Sequence, residues 1–584
     1  MKHNNNEKSI GKLFLKLFLA IILFLIVAAG LLFAWKVAPN YINRDITDRT
    51  NLVLNFSNVT GRMKHDLIIN DDGVVYLSVS DIRNYYDKNI YFDEQYNQII
   101  TSSEDKLAVF KIDENRVTIN GKSTEIKGPA ILSNDEYYLP ISEMEDIYNV
   151  KVTKAENKII IESLDRKLTT ATLNKKAEVK YKTTAFSRTL DKLEKGDKVA
   201  ISENNNETIK QGWKRVRTAN GNIGYIEEKY LDTPKVERED VQSEKIMDGK
   251  ISLVWEYVSE ITSAPDNTGK KYEGVNVVSP SFFRLRLSDT KKDALTYMDV
   301  ALQAKIDDNV GDEGVEYIKW AHQNDYKVWA KVSNETLEST IDEFSYILND
   351  YKLRDVMIQD ILNYTEKYNL DGINIDYEYM YQKDKDAFSE FIIELAPQLR
   401  SKGKCLSVDV TAPDGGANWS LCYDRKLLGE VADYVVFMGY DQYGQTVIGT
   451  TSGYNWLKNN INKFLDANGQ DYVPAEKLII GLPFYTRLWQ TKDGATISQS
   501  TVLMCNVNNA IPANSSKEWQ DDVQQYYVQY DKGGYTYKMW VEDEESFTKK
   551  LELIQEYDVA GAGYWRKGFE PDSIWKVIKN KLEL

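Results

Sequence analysis

The stretch DGINIDYEYM, Asp371 to Met380, sets an amide and two carboxylates at alternate positions. In an extended chain, successive side chains point to opposite faces. Gly372, Asn374, Asp376 and Glu378 therefore share one face, and Ile373, Ile375 and Tyr377 share the other. Burying unpaired charge is costly, so the polar face must meet something that uses it. Asp376 and Glu378 would stand about 6–7 Å apart along such a strand. Burial and a neighbouring like charge both raise a carboxyl pKa. Glu378 is thus expected to hold its proton at neutral pH and to act as a general acid. A general acid beside a second carboxylate suits cleavage of a glycosidic bond, which needs a protonated leaving oxygen and a stabilised sugar cation. A polar network at a strand end, or a divalent-cation site, is the alternative for the ladder taken alone.

The surrounding pattern supplies the elements that would position this ladder. Strand-like runs fall at 251–258, 274–280, 327–333, 372–378, 405–413, 433–441, 478–485 and 560–565. Amphipathic stretches such as DVMIQDILNYTEKYN (355–369) and AFSEFIIELAPQLRS (387–401) lie between them. Eight strands alternating with helices predict an α/β fold, a (β/α)8 TIM barrel over 250–584. Active sites of such barrels sit at the C-terminal strand ends. The fourth strand is expected to end at Glu378.

The chain upstream has a different texture. VYLSVSDIRNYYDKNIYFDEQYNQIITSS (75–103) matches YYLPISEMEDIYNVKVTKAENKIIIES (137–163), each copy reading as strand, short helix and two strands. The region 44–165 resembles the copper amine oxidase N-terminal-like stalk domain, without visible copper ligands, and an α+β spacer is expected. GWKRVRTANGNIGYIEEKYL has the alternation and turn of a β-hairpin. The region 168–232 resembles the small β-rich bacterial SH3-like domain. TPKVEREDVQSEKIMDG (233–249) lacks apolar periodicity and reads as a linker. At the amino end, the run from Leu17 to Trp35 is uncharged and about one bilayer long, and Lys2, Lys8, Lys12 and Lys16 precede it. This predicts an N-terminal transmembrane helix over 13–35, with residues 1–12 cytoplasmic and the rest outside. A cleaved signal peptide is the other reading, given Ala28, Ala29 and Gly30.

Composition narrows the rest. A net charge of −16 over 584 residues argues against nucleic acid as a partner. Three cysteines, Cys405, Cys422 and Cys505, and three scattered histidines suggest neither a disulfide framework nor a zinc site. Cys405 and Cys422 read as buried small hydrophobes, or as a pair. No cofactor and no metal are expected.

DGINIDYE resembles the D-G-x-D-x-D-x-E signature of glycoside hydrolase family 18. The likeness runs from about 245 to 584. NWSLCYDRKLLGEVADYVVFMGYDQYG (418–444) is similar to the family's fifth-to-sixth strand region, GLPFYTRLW (481–489) to its seventh strand, and YKMWVEDEESFTKK (537–550) with GAGYW (561–565) to its eighth. The resemblance implies substrate-assisted, retaining hydrolysis of a 2-acetamido sugar. Glu378 would protonate the glycosidic oxygen, and the substrate's own acetamido carbonyl would attack. Asp376 would hold the acetamido N–H, and Tyr440 would steer its carbonyl. Trp565 would floor the sugar, with Asn374, Met438, Asp441, Tyr485 and Arg487 around it.

Two departures stand out. Asn374 replaces the middle aspartate and is expected to donate a hydrogen bond to Asp376, which would then be held as an anion. AKVSN (330–334) replaces the family's S-x-G-G, which suggests a different substrate-binding wall. An outward-facing anchored enzyme would meet peptidoglycan, so a membrane-bound N-acetylglucosaminidase of the cell wall is the expected function. The alternatives are hydrolysis of chitin, chito-oligosaccharides or N-glycans, and a catalytically weak glycan-binding protein.

Overall fold

The computed structural model describes residues 4–36, 50–203, 209–241, 246–258, 270–286, 305–334, 341–444 and 446–584. One helix, Asn4–Lys36, contains the segment Lys12–Ala34, long and apolar enough to cross a membrane. Residues 37–49, which include the expected start of the stalk region, lie outside the described residues. The chain divides into two compact units, one of Met1–Phe92, Asn97–Thr101 and Ala108–Ser243, the other of Asp93–Tyr96, Ser102–Leu107 and Glu244–Leu584.

The first unit shows the duplication. In one copy strand Val75–Ser78 leads into helix Val79–Tyr85 and strands Tyr91–Asp93 and Gln98–Ser102. In the other, Glu136–Pro140 leads into a short helical segment, then Val150–Ala155 and Lys158–Ser163. The leading strands of the two copies pair antiparallel, Leu139 opposite Leu77. A seven-stranded antiparallel sheet follows, from Leu168–Thr172 to Lys235–Arg238. Its last strand falls inside the stretch expected to be a linker. That strand is almost wholly exposed. It is held by backbone pairing to Leu168–Thr172 and by Arg238, which donates to the Arg166 carbonyl and pairs with Glu162. An edge strand of this kind needs no apolar alternation, so it left no period in the sequence.

The second unit is a closed parallel barrel. Its strands are β1 (Ile251–Glu256), β2 (Val277–Pro280), β3 (Lys327–Ser333), β4 (Gly372–Asp376), β5 (Cys405–Val410), β6 (Tyr434–Met438), β7 (Leu478–Pro483) and β8 (Gly561–Trp565). Each pairs with the next, and β8 returns to β1 with Leu253 opposite Gly563. The eight runs read from sequence are these eight strands. Helices such as Tyr351–Lys367 and Lys385–Arg400 cover the outside. Ile373, Ile375 and Tyr377 pack outward in the same apolar cluster as Phe388 and Phe391 of the second helix. The lower interior is a smaller cluster built around Leu253, Trp255, Trp329 and Val436. Gly372 is needed there, since a Cβ would fall 2.7 Å from the Cys405 carbonyl oxygen and 2.8 Å from the Trp329 ring. Cys405 and Cys422 are buried and free, and Cys505 is exposed and free.

Several strand boundaries differ from expectation, and two of them bear on the site. β4 ends at Asp376, two residues early, because Tyr377 and Glu378 are tied to side chains of neighbouring elements instead of to a strand ladder. The expected seventh strand stops at Pro483. From Tyr485 the chain leaves the barrel for a five-stranded antiparallel sheet, in the order 495–503, 485–492, 535–540, 525–532, 517–520. In sequence only its first and last strands show, 481–489 by its likeness to the family's seventh strand and 537–550 by its likeness to the approach to the eighth.

Arg354 of helix Tyr351–Lys367 is shared by two carboxylates of the next helix, Glu394 at 2.7 Å and Glu390 at 2.9 Å. Burial raises the Glu390 pKa to about 7; Arg354 opposes this and Glu394 adds to it. The native state thus holds this proton more tightly than the unfolded chain. The stability it gives is complete below the ordinary value of 4.5 and is lost as pH climbs through about 7. The thermal midpoint of the full chain should fall across that window, and Glu390→Gln should flatten the fall.

Candidate active site

The inward faces of β3, β4, β5, β6 and β8 build a cavity of ≈ 440 Å³ at the C-terminal end of the barrel. Asp376, Glu378, Met438, Tyr440, Asp441, Tyr485 and Trp565 line it, with Lys331, Asn334 and Asp409. The register explains why they meet. On β3 and β4, Lys331 stands opposite Asn374 and Ser333 opposite Asp376, and on β5 Ser407 stands opposite Asn374.

Asn374 and Arg487, grouped with the substrate-binding residues from sequence, do not line the cavity. Asn374 is fully buried beneath it. Its Oδ1 accepts from Trp255 Nε1 at 2.9 Å, and its Nδ2 donates to Ser407 Oγ at 3.0 Å and Asp409 Oδ1 at 2.7 Å. The expected bond from Asn374 to Asp376 is absent among these contacts. Strand geometry gives the reason: Asn374 and Asp376 are successive rungs of one strand face, whereas Ser407 lies directly across.

Asp376 is held instead by Lys331, whose ammonium donates to Asp376 Oδ2. Both side chains are nearly inaccessible, at 5% and 7%. Burial pulls the Lys331 ammonium down; the charge and hydrogen bond of Asp376, with Glu378 and Asp409, more than reverse this, leaving its pKa raised. The same ammonium lies 5.2 Å from the centre of the Trp565 ring. Asp376 Oδ1 is buried and has no hydrogen-bond partner among the described residues. Asp409 is fully buried, and burial followed by the Asp376 charge raises its pKa well above the ordinary 3.8, which favours its protonated form. Lys331 and Asp409 were missed from sequence. AKVSN had been noted only for lacking small residues, and the even spacing of Ser407 and Asp409 in CLSVDV was the available signal.

Glu378 is half-buried, and its main chain is clamped on both sides. Asn334 Oδ1 accepts from the Glu378 amide at 2.9 Å, and Asn334 Nδ2 donates to its carbonyl at 2.8 Å. Tyr423 donates to the preceding carbonyl, of Tyr377, at 2.7 Å. Burial, then the charges of Asp409 and Asp376, push the Tyr440 phenol well up, so it remains a donor at any ordinary pH. Asp441 takes a left-handed backbone, φ 54°, uncommon outside glycine. Its Oδ1 accepts from Tyr485 at 2.8 Å and Arg487 at 2.7 Å, both from the first strand of the inserted sheet. Arg487 thus acts on the cavity through Asp441.

Asp376, Glu378, Tyr440 and Trp565 thus face one cavity, in which one buried carboxylate oxygen, Asp376 Oδ1, has no partner among the described residues. A model of "Glycosyl hydrolases family 18" matches residues 255–569, more than half of the chain. The chain belongs to that family. It is a glycoside hydrolase. A second model, of the copper amine oxidase N-terminal domain, matches residues 58–163. Among curated proteins, the chain is 28% identical over 286 residues to one named "Uncharacterized glycosylase YvbX" of Bacillus subtilis (strain 168), covering 46% of this chain and 79% of that protein. It is 23% identical over 267 residues to the cortical fragment-lytic enzyme of the same organism, covering 43% of this chain and 59% of that one. Among solved structures, the Bacillus cereus spore cortex-lytic enzyme SleL aligns with TM-score 0.47 and 19% identity, covering 60% of this chain and 77% of that one.

Removing the cation that offsets Asp376 should be costly. Lys331→Met should lower kcat/KM by roughly 10- to 100-fold, from the loss of a buried charge-assisted hydrogen bond. It should also move the acid limb of the pH–rate profile to higher pH. Steady-state rates on a glycan substrate across pH test both.

Proposed function

We propose that this protein is a membrane-anchored enzyme that cleaves β-1,4 bonds of N-acetylglucosamine in peptidoglycan, outside the cytoplasm, by substrate-assisted retaining catalysis. The observation that carries the proposal is Asp376 Oδ1, a buried carboxylate oxygen beside Glu378 with no partner among the described residues. A buried acceptor of this kind is costly unless a donor arrives. A 2-acetamido group supplies an N–H donor and, on the same group, the carbonyl oxygen that attacks the anomeric carbon.

In this reading Glu378 gives its proton to the leaving oxygen, and the acetamido oxygen bonds to the anomeric carbon as the glycosidic bond breaks. Asp376 accepts from the acetamido N–H and stabilises the resulting oxazolinium cation. Tyr440 donates to the acetamido oxygen and aims it. Lys331 keeps Asp376 in place, and burial of Asp409 disfavours a second negative charge there. Trp565 offers its face to the sugar ring. Glu378 then takes a proton from a water that bonds to the anomeric carbon on the face the leaving group vacated, as the bond to the acetamido oxygen breaks; two displacements on opposite faces retain the anomeric configuration.

Support for peptidoglycan as the glycan comes from the relative named as a cortical fragment-lytic enzyme. Support for anchoring comes from the Lys12–Ala34 helix and the lysines before it. Residues 168–238 are proposed to be an SH3-like module, and 58–163 a spacer between membrane and barrel.

Digestion of purified peptidoglycan with the full chain in neutral detergent, followed by mass spectrometry, tests the reading. Expected are fragments with N-acetylglucosamine at the new reducing end, and a rate at least 100-fold lower with Glu378→Gln, the usual scale for loss of a general acid. Cleavage of chito-oligosaccharides with none of peptidoglycan would redirect the substrate and leave the mechanism standing. No cleavage of either would overturn the proposal.

A further inference from the structure

The barrel mouth holds a cation–aromatic stack that the cleavage step does not use. Arg566 directly follows Trp565, the last residue of β8. Its guanidinium lies 4.9 Å from the centre of the Tyr257 ring and 4.3 Å from that of Phe569. Tyr257 stands just past the end of β1 and is 48% exposed. A second guanidinium, of Arg284, lies 6.0 Å from the Tyr257 centre and donates to the Val258 carbonyl. Below, the rings of Trp255 on β1 and Trp565 on β8 meet with their centres 5.9 Å apart. The stack therefore borders the catalytic cavity at the seam where β8 pairs with β1.

The charge of this stack asks for an anion. The next residue, Lys567, pairs with Glu570 at 3.2 Å. Arg566 has no ion pair among the described residues, in a chain of net charge −16. Burial pulls its pKa below the ordinary arginine value, yet a guanidinium stays charged. Taking such a cation partly out of water is costly until an anion meets it. Aromatic faces hold a guanidinium flat, and its N–H edge matches a carboxylate with two parallel hydrogen bonds. Position says which part of a glycan arrives there. Four strands separate β8 from β4 either way round the ring, so Trp565 and Glu378 stand on opposite sides of the cavity. A sugar seated on Trp565 with its anomeric carbon toward Glu378 directs its other linkage toward the β8–β1 seam.

We propose that Arg566 binds a carboxylate carried by the glycan, on the sugar next beyond the one seated on Trp565. The inference deepens the peptidoglycan reading above, on which it rests. In peptidoglycan that sugar bears a lactyl ether, whose carboxyl group is either free or extended by a peptide with carboxylates of its own. Chitin has neither. Calorimetric titration of the full Glu378→Gln chain in neutral detergent reads binding without turnover, so failure of cleavage and failure of this inference are told apart. The ligands are a peptidoglycan tetrasaccharide with its peptides, the same tetrasaccharide after an amidase has removed them, and chitotetraose. Adding Arg566→Gln should weaken a carboxylated ligand roughly tenfold or more, and chitotetraose by less than about threefold. A larger loss on the stripped ligand would identify the lactyl carboxylate; a larger loss on the intact one would identify the peptide. Arg566→Lys keeps the charge without the fork and should fall between, and it serves if Arg566→Gln does not fold. Added salt should weaken the carboxylated ligands more than chitotetraose. No binding of either carboxylated ligand, equal losses on all three ligands, or no loss on any would each overturn the proposal.

Discussion

The ion pair between Lys331 and Asp376 is the constraint around which the barrel mouth is built. A buried carboxylate and a buried ammonium are each expensive to desolvate, and neither is tolerable without the other. Their pairing uses one oxygen of Asp376 and leaves the second free to act. It also explains how the site works with an amide at position 374. An asparagine cannot take a proton from Asp376, so the charge is balanced from β3. Asn374 is released for a structural task, joining Trp255, Ser407 and Asp409 in one network across three strands.

That network separates two layers of the barrel interior. Below it are the indoles of Trp255 and Trp329 with aliphatic side chains. Above it are Lys331, Asp376, Asp409 and Tyr440. The transition occurs within one rung of each strand. Strand periodicity makes this possible, since an inward position on one strand is level with an inward position on the next. Lys331 is bonded to Asp376, and Asp409 to Asn374, which is bonded in turn to Trp255 beneath.

Much of this was legible in sequence. The alternation in INIDYE fixed which side chains face inward, and apolar runs separated by amphipathic stretches gave all eight barrel strands. What stayed hidden depends on neighbours distant in the chain. Lys331 in KVWAKVS looks like an ordinary surface lysine until β3 is laid beside β4. Asp409 looks like a strand-end residue until Asn374 is found donating to it. The inserted sheet was overlooked because its strands are largely exposed and its polar alternation resembles loop sequence, as in ATISQSTVL. The strand Lys235–Arg238 was hidden in the same way. Residues whose role is to hold another residue, such as Asn334 and Arg487, carry no signature of their own.

The barrel closes by pairing its first strand with its last, and Trp565 stands on that last strand near the carboxyl terminus. The Trp565 indole, the Lys331 ammonium 5.2 Å from its centre and the Trp255 ring beside it come together only when the barrel has closed. A chain in which β8 has not yet paired with β1 holds Glu378 without that indole in place. Closure of the barrel thus works as a safety catch: the cavity has its full lining only after the first and eighth strands have met.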